Sequence, residues 1–176
     1  MDQKIVYLMR GLPACGKSFT ARKLAAESGT VLETDEYFYA HAGTDPGHYD
    51  YSDDLLPAAR QWNFERFVRA IAAGITPIVV DRGNGLNPET VQYARYAIEH
   101  NYRVELAEPE SEWWQELRVL LKYKEYTMPL LDRFADELAH KTRDEHRVPA
   151  KTIRRWMKKW KWDLTVEEIL EFDEAT

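Results

Sequence analysis

Residues 4–18, KIVYLMRGLPACGKS, carry the strongest structural signal in the chain. The apolar, β-branched run over residues 4–10 predicts a buried strand of a parallel sheet. Residues 11–18 then match the pattern G-x-x-x-x-G-K-[ST], and helical spacing follows over residues 18–27. This pattern holds phosphates when a strand precedes it and a helix follows it. The sequence therefore predicts a phosphate-binding loop between a first strand and a first helix.

Each residue type in this loop has a physical task. Gly11 and Gly16 allow the backbone N–H groups to point inward, where they and the N-terminus of the helix attract phosphate oxygens. Lys17 places a charge on the β- and γ-phosphates, and the Ser18 hydroxyl can bind Mg²⁺. ATP and Mg²⁺ are therefore the expected cofactors. The predicted nucleotide-binding residues are Gly11, Leu12, Pro13, Ala14, Cys15, Gly16, Lys17, Ser18 and Phe19.

Cys15 occupies a variable position of the loop. A thiol at the N-terminus of a helix can have a lowered pKa and act as a redox switch. A small side chain that merely fills space is the favoured interpretation. Since Cys15 is the only cysteine, the chain has no intrachain disulfide.

The rest of the chain alternates between strand and helix patterns. Strands are predicted at residues 30–33, 77–80 and 102–106, and helices at residues 57–73 and 89–99. This order is typical of a parallel sheet covered by helices on both faces. Residues 40–54 and 82–88 are predicted loops. Beyond residue 110 the pattern is helical, with helices expected at residues 113–124, 130–140, 150–162 and 166–172.

Two acidic residues follow predicted strands. In open α/β sheets ligands bind beyond the carboxyl ends of the strands, which is where Asp35 and Asp81 are expected. Asp35 can accept the proton of an attacking hydroxyl, with Glu36 a weaker candidate for that role. Asp81 can hold a water molecule bound to Mg²⁺. Ordinary turn or helix-capping roles remain the alternatives for both aspartates.

Charge is unevenly distributed in this chain of net charge −6. Residues 141–161 hold nine basic and two acidic residues. A basic segment on an acidic protein indicates a local anion site, with a solvated helix face as the alternative. We expect residues 141–162 to form a basic lid and its following helix. Arg143 or Arg147 could meet the transferring phosphate, and Arg147, Arg154 and Lys158 are candidate contacts for the acceptor.

These residues resemble the polynucleotide 5′-hydroxyl kinase family, which includes the phage end-healing kinase and P-loop domains of animal ubiquitin-ligase-binding proteins. The resemblance rests on five stretches: LMRGLPACGKSFTARKL, ETDEYF, WNFERFVRAIAAGITPIVVDRGN, YRVELAEPESEW and TRDEHRVPAKTIRRW. It implies an adenylate-kinase-like P-loop core with a helical lid. By the same resemblance Asp35 matches the general base and Asp81 the acid beside the metal. Arg143 matches the arginine of the lid.

Three features depart from that family. Phe38 stands where the phage enzyme has an arginine for the acceptor strand. Residues 82–84 read Arg-Gly-Asn where relatives often have a Thr-Asn step. Residues 115–135 resemble an insertion of unknown role. The departures leave the kinase interpretation in place and leave the acceptor open.

Length and composition limit the remaining choices. With 176 residues, 44% of them hydrophobic and 31% charged, the chain is expected to form a single kinase domain over residues 1–176. No apolar run is long enough to span a membrane and no signal-peptide pattern is present, so a cytoplasmic location is expected.

The leading hypothesis is an ATP-dependent kinase for the 5′-hydroxyl of a nucleic acid. The aromatic residues Tyr37, Phe38, Tyr39, Tyr49 and Tyr51 could stack on bases, or they could be core residues. A kinase for a metabolite, antibiotic or nucleoside is the alternative. A nucleotide-dependent scaffold with weak turnover is the third, since the tryptophans after residue 112 suit a partner surface as well as a core. Acceptor, nucleobase preference and oligomeric state are left open.

Overall fold

A four-stranded parallel sheet forms the centre of the molecule. The computed structural model describes residues 3–41, 51–82, 90–143 and 147–172. The strands are β1 (Ile5–Met9), β2 (Thr30–Glu33), β3 (Ile78–Asp81) and β4 (Arg103–Ala107), arranged in the order β2-β3-β1-β4. All three pairs of neighbouring strands run parallel, so their carboxyl ends share one edge of the sheet. The predicted fold class, a P-loop core with helices around a parallel sheet, is confirmed.

Eight helices accompany this sheet in the described residues. In chain order they are α1 (Lys17–Ala25), α2 (Glu36–Ala40), α3 (Leu56–Ala72), α4 (Thr90–Glu99), α5 (Glu112–Lys122), α6 (Lys124–Lys141), α7 (Ala150–Lys159) and α8 (Val166–Leu170). A single 3₁₀ turn, Asp53–Leu55, precedes α3. None of these helices is both long and apolar enough to cross a membrane.

The side chains of β1 point alternately to the two faces of the sheet, and different helices cover each face. Val6 and Leu8 point to the face covered by α3, α4 and α8, whereas Met9 belongs to the smaller core formed with α1. Successive side chains of a strand point to opposite faces, so a strand covered on both sides must be apolar at every position. This explains the continuous hydrophobic run of β1.

Helices α5, α6 and α7 form a second core beside the sheet. α5 and α6 fold back on each other, as the ring contact between Trp113 and Phe134 shows, with centroids 4.9 Å apart. Arg154 of α7 then pairs with Asp132 and Asp136 of α6. The buried residues of this core are Leu12, Cys15, Trp114, Leu117, Leu121, Leu131, Ala135, Leu138, Ile153, Met157 and Trp160. Two of them, Leu12 and Cys15, come from the phosphate-binding loop itself.

The structure changes several sequence expectations. Residues 115–135 form most of the α5–α6 hairpin, so they supply part of the second core. α6 begins at Lys124, six residues before the predicted start, with Pro129 on its exposed side. α7 ends at Lys159, and α2 was not predicted. The tryptophans after residue 112 lie within or against the second core, which favours packing over a partner surface.

Candidate functional site

The phosphate-binding loop has the backbone geometry of an anion cradle. Gly11 and Gly16 have φ angles of +151° and +89°, and Ala14 also has a positive φ of +58°. A Cβ atom on Gly11 would lie 3.1 Å from both Lys17 Cγ and the ring of Pro109, so glycine is needed there for space as well as for conformation. Lys17 Nζ reaches back to donate to the carbonyl oxygen of Leu12 at 3.3 Å. Its charge therefore lies over the loop.

The segment after β4 holds the cradle in place. Ser111 Oγ donates to the carbonyl oxygen of Cys15 at 2.9 Å and also accepts from the backbone N–H of Trp114, which caps α5. The backbone N–H of Glu110 donates to Thr20 Oγ1 of α1 at 3.2 Å. One short segment thus fixes the loop, the first helix and the start of α5 relative to one another.

Cys15 lies on the inner side of the cradle. Its side chain is buried in the second core, and burial raises the pKa of the thiol to about 11. A thiol with so high a pKa carries little thiolate at neutral pH and reacts slowly. The structure therefore favours a space-filling role over a redox switch.

Ser18 and Asp81 meet at the carboxyl edge of the sheet. Ser18 Oγ donates to Asp81 Oδ2 at 3.0 Å. Asp81 is the last residue of β3 and is buried, so the parallel pairing of β3 with β1 brings its carboxylate beside the cradle. A hydroxyl and a carboxylate are oxygen ligands of the kind that Mg²⁺ binds. The two residues therefore fit the metal-binding role predicted for them.

Glu33 is a further acid at this edge that sequence reasoning missed. Glu33 ends β2 and lies in register with Asp81 on β3. Partial burial raises the pKa of the Glu33 carboxyl to about 7, and the nearby carboxylates of Asp81, Glu36 and Asp35 add to that shift. The order of the strands creates this proximity, and no local sequence pattern reveals it.

Asp35 lies where β2 gives way to α2, at the N-cap position of that helix. Its side chain makes no capping hydrogen bond, so the simple capping alternative is not what the structure shows. β2 is two strands from β1, and strands are about 4.8 Å apart, which places Asp35 roughly 10 Å to the side of the cradle. Neighbouring Glu36 is paired with Arg66 of α3 at 2.5 Å.

The basic segment begins near the cradle. Lys141, the last residue of α6, lies 3.6 Å from the ring centroid of Trp113 at the start of α5. Arg143 follows two residues later and is exposed. Thr142 is buried between them, and it accepts from Val148 N–H and Arg147 N–H through its hydroxyl and carbonyl oxygens respectively. The structure therefore brings Arg143 and Arg147 to the cradle end of the helical unit.

The other two basic candidates are placed differently. The guanidinium of Arg154 contacts Asp132 Oδ1 at 3.2 Å and Asp136 Oδ1 at 2.6 Å, so it joins α7 to α6. Lys158 lies one residue before the end of α7, about 12 Å along the helix from Ala150. Ile153 and Met157, on the inner face of the same helix, are buried in the second core. α7 is therefore a packed part of the second core rather than a separate flap.

The sheet order, the glycine-rich cradle and the Ser18–Asp81 pair define a P-loop nucleotide-binding protein of the NTPase class. Residues 6–118 match the family model described as "AAA domain", and the chain belongs to that family. The family is P-loop and kinase-like, which confirms the coarser part of the predicted resemblance.

Comparison with individual proteins adds two likenesses. The chain is 37% identical over 113 residues to human NEDD4-binding protein 2. That match covers 63% of this chain but only 6% of the length of the human protein. A chain from the PezAT chromosomal toxin–antitoxin system of the human pathogen Streptococcus pneumoniae is 15% identical, with a TM-score of 0.42, covering 97% of this chain and 84% of that chain. The second likeness is too weak to bear on fold or function.

Proposed function

We propose that this chain is an ATP-dependent kinase that transfers the γ-phosphoryl group to a hydroxyl, specifically the 5′-hydroxyl of a nucleic acid. The observation that carries the proposal is the shared sheet edge: Lys17, the Ser18–Asp81 pair and Asp35 all lie at or beyond the carboxyl ends of strands β1, β3 and β2. A cradle with an acid set to one side is the arrangement that phosphoryl transfer needs. The family resemblance of the sequence supports the choice of acceptor.

The reaction follows from the side chains present. Asp35 accepts the proton of the acceptor hydroxyl as its oxygen forms a bond to the γ-phosphorus. The bond from that phosphorus to the β–γ bridging oxygen breaks, and the nucleoside diphosphate leaves with the electron pair. Lys17 and the backbone N–H groups stabilise the charge on the phosphate oxygens. Bound Mg²⁺, held by Ser18 and through water by Asp81, would supply further positive charge to those oxygens.

The two substrates would then lie on opposite sides of the cradle. Attack in line with the leaving oxygen requires the donor's nucleoside to extend away from Asp35, which is on the β2 side. On the β4 side a groove of about 570 Å³ lies beside Pro109, with Gln115, Arg118 and Trp162 in its lining. We assign this groove to the nucleoside part of the donor.

Arg143 and Arg147 complete the proposed site from the loop after α6. Arg143 would meet the transferring phosphate, because a guanidinium can pair with two phosphate oxygens at once. Arg147, and Lys158 further along α7, would face the phosphates of the acceptor strand. Arg154 is not part of this proposal, since its guanidinium is bound to α6. Residues 1–176 act as one kinase domain in this scheme, and the lid role is confined to the loop that carries Arg143.

A small-molecule kinase is favoured by one specific observation. Glu33 and Asp35 bring carboxyl groups together on the acceptor side, where a polyanion would be repelled and a neutral or cationic alcohol would not. The same Asp35 would serve as base. A nucleotide-dependent scaffold is the third alternative, and it predicts feeble turnover with every acceptor. The name of the human relative, NEDD4-binding protein 2, supports a protein partner for that alternative alone.

The deciding experiment is a transfer screen with ATP labelled at the γ-phosphate. Single-stranded DNA and RNA with a 5′-hydroxyl, the same strands with a 5′-phosphate, and a panel of metabolites, nucleosides and aminoglycosides would be compared. We expect label on the 5′-hydroxyl strands alone. Label on a small molecule alone would replace the proposal with the small-molecule kinase, and turnover that no acceptor increases would favour the scaffold.

A further inference from the structure

An aromatic group lies beside Asp35 on the acceptor side of the sheet. It consists of Tyr37, His41 and Trp62, which we call the acceptor-side aromatic group. The rings of Tyr37 and His41 are stacked, with centroids 4.2 Å apart and an interplanar angle of 16°. Trp62 of α3 meets both rings edge-on, at 5.7 Å from Tyr37 and 5.6 Å from His41. Tyr37 and Trp62 are half-buried, whereas His41 is exposed.

The position of this group relates it to the proposed reaction. Asp35, Tyr37 and His41 follow one another along α2 and its ends, so His41 lies about 9 Å from Asp35 along the helix. That distance suits a nucleoside whose 5′-hydroxyl is at Asp35 and whose base is at His41. The group also lies on the β2 side of the cradle, opposite the groove assigned to the donor.

Electrostatics favour an aromatic, uncharged ligand at these rings. The Arg66 guanidinium lies 4.3 Å from the Trp62 ring centroid, and it is paired with Glu36, so no net charge is left by this pair. Nucleobases are neutral and have a π-face, and stacking on aromatic side chains is the usual way that proteins bind unpaired bases. A stacked pair whose outer member is exposed provides one such face.

We infer that the acceptor-side aromatic group binds the nucleobase of the acceptor's 5′-terminal nucleotide, with His41 as the stacking surface and Tyr37 and Trp62 behind it. This inference rests on the proposed function, because it takes Asp35 as the base that receives the hydroxyl proton. In addition, it makes the base of the acceptor's first nucleotide part of what the enzyme recognises. Neither His41 nor Trp62 was among the residues that sequence reasoning selected.

The chain contains a matched control for this inference. Tyr96 and His100 form the same arrangement at the end of α4, with rings 4.1 Å apart at 23°. In both pairs the histidine Nδ1 lies within hydrogen-bonding distance of the tyrosine carbonyl oxygen. Because α4 leads into the amino end of β4, the Tyr96–His100 pair lies at the opposite edge of the sheet from Asp35. Loss of His100 therefore removes an equivalent stack without touching the site.

The test measures kcat/KM for short 5′-hydroxyl oligonucleotides whose first nucleotide is either natural or abasic. The native chain should prefer the natural strand roughly 5- to 150-fold, the range expected for stacking of one base. His41→Ala should reduce that preference to near one by slowing only the natural strand, and His100→Ala should leave it unchanged.

The outcomes separate the inference from the function on which it rests. If the native chain phosphorylates both strands equally, or if His41→Ala slows both strands by the same factor, the rings only pack α2 against α3 and the inference is wrong while the kinase stands. If no nucleoside or oligonucleotide is phosphorylated, both are wrong. Trp62→Phe, which keeps a ring against α3, should retain most of the preference and guards against loss of folding.

Discussion

Ser18 and Asp81 are 63 positions apart in the sequence, yet the hydroxyl of one donates to the carboxylate of the other at 3.0 Å. This contact aligns the first turn of α1 with the end of β3, where the metal bound by a nucleotide would lie. Asp81→Asn should raise the Mg²⁺ concentration for half-maximal turnover at least about 10-fold, since outer ligands typically contribute that much to metal affinity. A Mg²⁺ titration of ATP turnover measures it. Glu99→Gln, at the opposite edge of the sheet, is the control, and an unchanged titration for Asp81→Asn would contradict the metal assignment.

Lys17→Ala should reduce ATP turnover at least about 100-fold, because the charge that stabilises the transferring phosphate is lost. Thermal unfolding of the variant should remain close to that of the native chain. Lys23→Ala is the matched change on the same helix, since Lys23 is exposed and its pair with Glu110 is a surface ion pair of small contribution. Near-native turnover by Lys17→Ala would contradict the assignment of residues 11–18 as the loop that binds the phosphates of ATP.

Asp35→Asn should bind nucleotide normally and lose transfer roughly 10²- to 10⁴-fold, because an amide keeps the shape but cannot accept the proton. Fluorescent-nucleotide titration and single-turnover transfer would separate these two effects. Glu36→Gln should transfer at nearly the native rate, since its carboxylate is already held in a partly exposed pair with Arg66. If Glu36→Gln loses transfer and Asp35→Asn does not, Glu36 is the base.

Arg143→Ala should slow transfer to every acceptor at least about 100-fold if its guanidinium stabilises the transition state. Arg143→Lys should recover only part of that loss, because an ammonium cannot bind two oxygens side by side. Rapid-quench measurement of the chemical step tests both variants, with Arg133→Ala on the exposed side of α6 as control. A loss confined to nucleic-acid acceptors would instead place Arg143 among the acceptor contacts.

Stability should respond to pH through Glu33. Burial, followed by the neighbouring carboxylates, raises the pKa of this carboxyl to about 7 from its ordinary 4.5. A raised pKa means that the folded chain holds the proton more tightly, so this contribution is complete below pH 4.5 and is lost as the pH rises through 7. Glu33→Gln mimics the protonated form at every pH. Without nucleotide or metal, the unfolding free energy of the variant minus that of the native chain should therefore increase between about pH 5 and about pH 8. A constant difference across urea titrations would refute the shift.

Local patterns were sufficient for the parts of the site that are close together in sequence. The glycines and Lys17 belong to one loop, and Asp81 directly follows a buried apolar run, so short segments define both. Glu33 could not be found in this way, because its proximity to Asp81 depends on β2 pairing with β3 in a particular register. The contact between His41 and Trp62 was not predicted either, since it depends on the packing of α2 against α3.

The helices after residue 110 show a second limit of prediction from sequence patterns. The sequence pattern predicted a helix from residue 130, but α6 begins at Lys124 and continues past Pro129, which lies on its exposed side. The basic residues of α7 were read as one charged surface, yet Arg154 is neutralised by two aspartates of α6 that are 18 and 22 positions away. Charge in a sequence does not reveal its partners until the helices are packed.

The side chains of Leu12 and Cys15 give the phosphate-binding loop a hydrophobic underside that packs in the second core with residues of α5, α6 and α7. The family model ends at residue 118, but the core that contains these two side chains extends to Trp160. A chain shortened to the family pattern would expose those two side chains to water, and the loop would lose the packing that holds its shape. Residues beyond 118 therefore support the loop on which nucleotide binding depends. Substitutions of buried residues in α6 or α7 should weaken ATP affinity.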